Sequence, residues 1–148
     1  MAIVEDLELR NLTYRTFVAL GRAPTAEEIA TASAMTIADV RAGWRRLQGG
    51  HSLVLDRAMN EIRMAAPFSA VPTSHRVLAD ERWWYANCAW DALGICAALG
   101  TDGRIETSCP DCDEPLTVEV SEERVSQERV LFHCLVPAVQ WWDDIVFT

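Results

Sequence analysis

The sequence contains no apolar stretch long enough to cross a membrane, and it contains no lysine. Charged residues interrupt the apolar runs every few positions, whereas a membrane helix needs roughly 20 consecutive apolar residues. The first ten residues, MAIVEDLELR, carry acids where a secretory signal carries bases. We therefore expect a cytoplasmic protein without a membrane partner. The absence of lysine reflects a composition bias and indicates no function.

Cysteine is present in an odd number, with five residues in 148. A chain without an export signal stays in a reducing compartment, where disulfides are rare. The thiols are therefore expected to serve as metal ligands or nucleophiles and not as a disulfide framework.

Negative charge is concentrated in the second half of the chain. The net charge is -9, with 8 arginines against 8 acids in residues 1–70 and 5 arginines against 14 acids in residues 71–148. An acidic surface disfavours nucleic acids and anionic membranes. It suits a neutral or cationic small molecule as the partner. The formation of a homodimer is compatible with this charge distribution.

The first half has the pattern of three helices followed by a hairpin. Residues 6–20 place leucines and Phe17 near helical spacing and stop at Gly21. A capping box at Thr25 opens a second helix through Ala34, and Thr36 caps a third that ends at Gly49–Gly50. Strand-like runs follow at 52–56 and 61–65. This order predicts a winged-helix-like domain over residues 1–66.

The second half has a mixed pattern and follows a linker at residues 67–74 (PFSAVPTS), which is rich in proline and small polar residues. Over residues 75–148 we predict a strand at 75–79, a turn at 80–82 and a helix from Trp83 to Leu99 closed by Gly100. Short strands are predicted at 104–108, 116–120 and 130–136. The fold class is therefore expected to be α+β.

The segment RWWYANCAWDALG, residues 82–94, places Cys88 and Asp91 three positions apart on the predicted helix. Side chains at this spacing are neighbours, so a thiol and a carboxyl group can face one bound atom. The positive end of a helix also favours the thiolate, which attacks and binds metals. The alternative is a packed thiol beside a helix-facing acid.

Tyr85, Cys88 and Asp91 form a Tyr-x-x-Cys-x-x-Asp element that resembles the one in the alkylmercury (organomercurial) lyase family, in which a winged-helix-like region also precedes an α+β catalytic domain. The resemblance extends over the whole chain. It implies that Cys88 is the first nucleophile and that Asp91, as general acid, passes a thiol proton to the leaving carbon. Mercury would be substrate and product ion, with no cofactor required. Tyr85, Trp84 and Trp90 would line the substrate pocket.

The sequence departs from this family at the second catalytic cysteine, which the family carries roughly sixty residues after the first. That spacing falls at or just past Thr148. Either the native protein continues, or the full lyase site has been lost. Cys96 is no substitute, because eight helical residues place it about 12 Å along the axis from Cys88. We predict a buried Cys96.

The segment CPDC places Cys109 and Cys112 at the spacing of a zinc knuckle. A structural zinc ion takes four ligands, and His133 and Cys134 could supply the other two. Adjacent residues on a predicted strand point to opposite faces, however, so these two do not easily bind one ion. A tight turn with a buried thiol beneath it is the main alternative to zinc, and capture of mercury by the pair is another. Near the end of the chain, Asp143 and Asp144 fit either a polar pocket or a solvated turn.

Three classes of function remain open. The first is an alkylmercury lyase-like enzyme, or a relative that uses the same thiol and acid on another small substrate. The second is a winged-helix transcription regulator, in which Arg41, Arg45 and Arg46 would reach phosphates, although the charge balance makes nucleic acid an unfavourable partner. The third is a non-catalytic metal-binding protein on a decayed lyase fold.

Overall fold

The computed structural model describes residues 2–127 and 129–147, and its first part is helical. Helix α1 spans Ala2–Leu20, α2 spans Ala26–Ala32 and α3 spans Ile37–Gly49. The predicted capping box of Thr25 with Glu28 is confirmed, and Thr36 forms a second one with Asp39. Within the described residues, no helix is both long and apolar enough to span a membrane.

A small antiparallel sheet follows the helices. Its strands are β1 (Val54–Leu55), β2 (Ile62–Ala65) and β3 (Phe68–Ser69), in the order β1-β2-β3. The first two form the predicted hairpin, whereas β3 lies inside the segment predicted as a linker. The division of the chain into two domains there stays a prediction.

The second part contains a five-stranded antiparallel sheet covered by one helix. Its strands are β4 (Arg76–Ala79), β5 (Arg82–Tyr85), β6 (Gly103–Ser108), β7 (Pro115–Ser121) and β8 (Arg124–Val125), in the order β5-β4-β6-β7-β8. Helix α4 (Ala89–Leu99) packs against β4 and β6. The predicted mixed α+β class is confirmed.

The predicted helix from Trp83 to Leu99 is wrong at its start. Residues 82–85 form strand β5, in which Trp84 is buried while Trp83 and Tyr85 are exposed. This alternation is the period of a strand with one face on the core. The helix begins six residues later than predicted, at Ala89, so Cys88 is its N-cap and not an interior residue.

The predicted strand at residues 130–136 is also wrong. The structure describes these residues and they form no strand, and a short 3-10 helix follows at Ala138–Asp143. An apolar run becomes a strand only where a neighbouring edge accepts its backbone hydrogen bonds. Here Leu131 is 91% exposed, so the run covers little of the core.

One continuous core joins the helices to both sheets. Phe68 of β3 lies at its centre, with ring centroids 5.3 Å from Phe17 of α1 and 5.0 Å from Trp84 of β5. A bridge between Phe68 and Ala86 connects the sheets directly. These contacts fix the chain immediately before α4, where the candidate site begins.

Trp44 of α3 is expected to contribute strongly to stability. It is fully buried, and its indole Nε1 donates a 3.0 Å hydrogen bond to Thr13, whose hydroxyl donates to the Leu9 carbonyl. Trp44→Phe loses this bond and leaves a void, so we expect the free energy of unfolding in urea to fall by about 2 kcal/mol. Trp90→Phe is the control, because Trp90 is 58% exposed, and a change of less than about 0.5 kcal/mol is expected. Equal effects of the two substitutions would contradict this account.

Candidate active site

Cys88 and Asp91 occupy the N-cap and the third position of α4. These are the positions that the capping boxes of α2 and α3 give to a threonine and an acid. In α4, however, the N-cap side chain makes no capping hydrogen bond. The Cys-x-x-Asp element therefore has the spacing of a capping box, with a thiol in place of the hydroxyl. The thiol and the carboxyl group therefore lie together at the start of one helix.

Asn87 holds the carboxyl group of Asp91. Its Nδ2 donates to Asp91 Oδ2 at 2.9 Å and lies 3.3 Å and 3.4 Å from the carbonyl oxygens of Pro67 and Phe68. Burial raises the pKa of Asp91, and the hydrogen bond from Asn87 acts in the opposite direction. The result is a fixed carboxyl group whose affinity for a proton exceeds that of a solvated aspartate.

The thiol of Cys88 is half-buried, and burial is the main reason why its pKa is raised. The backbone amides of Asp91 and Trp90 oppose this shift, while the charges of Asp91 and Cys134 add to it. The amides at the start of α4 thus stabilise the thiolate, as expected, but burial has the larger effect on the pKa of Cys88. The resting group is a thiol, and it needs a nearby base to become a nucleophile.

Helix α1 also approaches the site, through Tyr14. The Tyr14 hydroxyl lies 3.1 Å from the carbonyl oxygens of both Ser52 and Ala66, and the Arg10 guanidinium stands over its ring. Burial raises the pKa of Tyr14, the charge of Arg10 lowers it, and that of Asp91 raises it. Tyr14 is therefore an electrostatic neighbour of Asp91 contributed by a distant part of the chain.

The three predicted pocket residues are in different environments. Trp84 is 3% exposed and its indole donates to the Ala79 carbonyl, so it belongs to the core beneath the site. Tyr85 and Trp90 are exposed beside Cys88 in the chain. Trp90 contacts the ring of Phe132, with 5.9 Å between centroids, which places the segment around Phe132 against the start of α4.

The remaining predicted site residues lie elsewhere. Cys109 and Cys112 are in the β6–β7 hairpin, and among the residues that the structure describes no three histidine, cysteine or acidic side chains converge as metal ligands. The zinc interpretation therefore gains no support. Cys96 is buried, as predicted. Asp143 and Asp144 are exposed at the end of the 3-10 helix.

A surface groove of about 610 Å³ lies between α1 and α3, and none of the predicted catalytic or pocket residues line it. The candidate site is thus identified by its chemistry. The structure thus defines a class of mixed α+β protein that carries a thiol and a proton-binding carboxyl group at the start of a helix covering an antiparallel sheet.

Comparison with known proteins narrows this class to one family. The model of the MerB family, alkylmercury lyase, matches residues 68–148. The chain therefore belongs to the alkylmercury lyase family. This segment contains β3, α4 and the whole five-stranded sheet, and with them Asn87, Cys88 and Asp91.

Individual relatives agree with this assignment. Alkylmercury lyases from Bacillus cereus and Clostridium butyricum are each 27% identical over 105 residues, which is 71% of this chain and 46% of theirs. The chain thus spans about half the length of the curated relatives it matches. The crystal structure of the mercury-bound form of MerB2 is similar in fold, with a TM-score of 0.65 and 21% identity, over 81% of this chain and 59% of that one.

Proposed function

We propose that this chain carries an alkylmercury lyase-like activity in which Cys88 binds the mercury of an organomercurial and Asp91 delivers a proton to the leaving carbon. The observation that carries the proposal is the placement of Cys88 and Asp91 at the N-cap and third position of α4, with Asp91 held by Asn87. The membership in the alkylmercury lyase family supports the choice of substrate class.

The proposed reaction begins with proton transfer from the Cys88 thiol to the Asp91 carboxylate. The sulfur then forms a bond to mercury, for which soft thiolates have high affinity. As the carbon–mercury bond breaks, its electron pair forms a carbon–hydrogen bond with the proton carried by Asp91. A hydrocarbon leaves, and the mercuric ion stays on Cys88 and on a second thiolate that solution thiol supplies in our assay. No redox change occurs.

The regulator alternative is less well supported. Arg41 and Arg46 pair with acids of the same chain, at 2.9 Å to Glu61 and 2.7 Å to Asp6. Arg45 donates to the Met59 carbonyl and the Asn60 side chain. Arginines held in this way are less available to phosphates.

We also propose three further properties of the protein. These are a winged-helix-like character of α1–α3, a cytoplasmic location and a homodimer.

Incubation with phenylmercury in the presence of a physiological thiol tests the proposed function directly. We expect catalytic release of benzene, followed by gas chromatography, because benzene forms only when carbon is protonated as its bond to mercury breaks. Heat-denatured protein at the same thiol concentration gives the background. A rate equal to that background would overturn the proposal.

The amide of Asn87 is expected to set the pH dependence of this reaction. Because its hydrogen bond lowers the pKa of Asp91, Asn87→Leu should raise that pKa. Asp91 must be ionised to accept the thiol proton, so kcat/KM rises with pH through its pKa, and this acid-side limb should move to higher pH. At the acidic end we expect a loss of about tenfold, the value of one hydrogen bond to a charged group.

The matched control for Asn87 is Asn60→Leu, since Asn60 bonds to Arg45 in the first part of the chain. Its pH profile should coincide with that of the parent. A uniform loss of kcat/KM in Asn87→Leu, without displacement of the limb, would show that Asn87 serves folding alone.

A further inference from the structure

The hairpin between β6 and β7 presents two free thiols to solvent. Cys112 is exposed and Cys109 is partly exposed. Two backbone hydrogen bonds of 2.9 Å close the turn, from Cys109 to the Glu114 carbonyl and from Asp113 to the Cys109 carbonyl. Asp113 has a φ of 57°, in the left-handed region. Neither thiol of this described hairpin is buried, although a purely structural turn was expected to have a buried thiol beneath it.

The two thiols also lie together in this turn. The side chain of Cys112 hydrogen-bonds with the Cys109 sulfur, and the backbone amides of Asp111 and Cys112 are directed at the same sulfur. The two sulfurs are thus neighbours within one short turn and can bind one ion together.

The number of ligands determines which ion fits. Within residues 2–127 and 129–147 no third histidine, cysteine or acid joins these thiols in a metal-binding group. Two thiols are too few for a structural zinc site, in which zinc takes four ligands. They are sufficient for a mercuric ion, which is soft and binds stably to two sulfurs.

We propose that Cys109 and Cys112 form a second mercury site, which holds Hg(II) as a dithiolate independently of Cys88. Each thiol loses its proton as its sulfur binds the ion, so two protons are released and nothing is oxidised or reduced. Because the second sulfur binds intramolecularly, the pair competes effectively with single thiols in solution. The site therefore retains mercuric ion under conditions in which an isolated cysteine would lose it.

The test uses the full chain with Cys88→Ser, so that the proposed catalytic site is removed from the measurement. Reduced protein is mixed with mercuric chloride and an excess of a monothiol, desalted, and analysed for mercury and for near-ultraviolet sulfur-to-mercury absorption. We expect about one mercuric ion per chain. Adding Cys112→Ser should abolish retention. Cys112 is exposed, and urea titration of the variant would verify that its fold is retained.

The matched control adds Cys134→Ser to Cys88→Ser, which removes an exposed thiol outside the hairpin. This control should still retain about one ion per chain. Retention that survives Cys112→Ser, retention that is lost with Cys134→Ser, or no retention in the Cys88→Ser parent would each overturn the proposal. Since no turnover is measured, none of these results bears on the lyase activity.

Discussion

Replacement of Cys88 by serine is expected to lower the rate of benzene release from phenylmercury by at least about 10³-fold, as for other catalytic nucleophiles. A hydroxyl group is a hard, weakly acidic ligand and neither binds mercury strongly nor weakens its bond to carbon. The substitution keeps the size and the N-cap position of the side chain. The loss should therefore come from the chemistry of sulfur and not from misfolding, which circular dichroism and urea titration would verify.

Cys96→Ala provides the matched control on the same helix. The Cys96 sulfur lies two turns further along, where a Cβ added to Gly103 would come within 2.6 Å of it. Removing that sulfur should lower stability slightly and leave benzene release within about twofold of the parent, as expected for a residue outside the site. If Cys88→Ser and Cys96→Ala retained equal activity, Cys88 would not be the nucleophile.

The helical start of the chain could be read from the sequence because its signals are local. The Thr25 box contains its own hydrogen-bonding partner three residues ahead, so sequence spacing and structure coincide. Cys88 and Asp91 have the same three-residue spacing as the residues of a capping box. A thiol is not among the preferred N-cap residues, so the prediction placed both inside a longer helix and missed the true start at Ala89.

The aromatic run before Cys88 was misjudged for a different reason. Trp83, Trp84 and Tyr85 are consistent with either a buried helix or a strand, and their neighbours in space decide between the two. Val77 pairs with Trp84 across the β4–β5 ladder, and the Arg76 guanidinium lies 4.2 Å from the centroid of the Trp83 ring. These partners belong to another strand, which sequence periodicity does not reveal.

The candidate site shows the same division between local and tertiary information. Cys88 and Asp91 were identified because they lie three positions apart in one motif. Tyr14 lies more than seventy residues earlier, and no sequence spacing connects it with Asp91. Asn87 immediately precedes the N-cap, but its role depends on the carbonyls of Pro67 and Phe68, which β3 brings to it. A motif therefore predicts the reacting groups, whereas the groups that position them emerge from packing.

Asp91→Asn is expected to separate mercury capture from carbon–mercury cleavage. The amide has nearly the size of the carboxyl group, but it neither accepts the thiol proton nor delivers one to carbon. General acid–base groups typically contribute 10²–10⁴-fold, so we expect benzene release to fall by about 10³-fold. Cys88 remains in place and can lose its proton slowly to solvent, so a phenylmercury adduct on its sulfur should accumulate. Mass spectrometry of the peptide that contains Cys88 would detect it separately from adducts on Cys109, Cys112 and Cys134.

Asp102→Asn is the control for this substitution, because Asp102 is an exposed acid that bonds to Ser121 and the Glu122 amide at the far end of β7. It should release benzene at the parental rate and accumulate no phenylmercury adduct on Cys88. Since Cys88→Ser should form no adduct at that position and Asp91→Asn should form a stable one, the pair assigns binding to the thiol and protonation to the carboxyl group. Parental benzene release by Asp91→Asn would instead show that the proton reaches carbon from another donor.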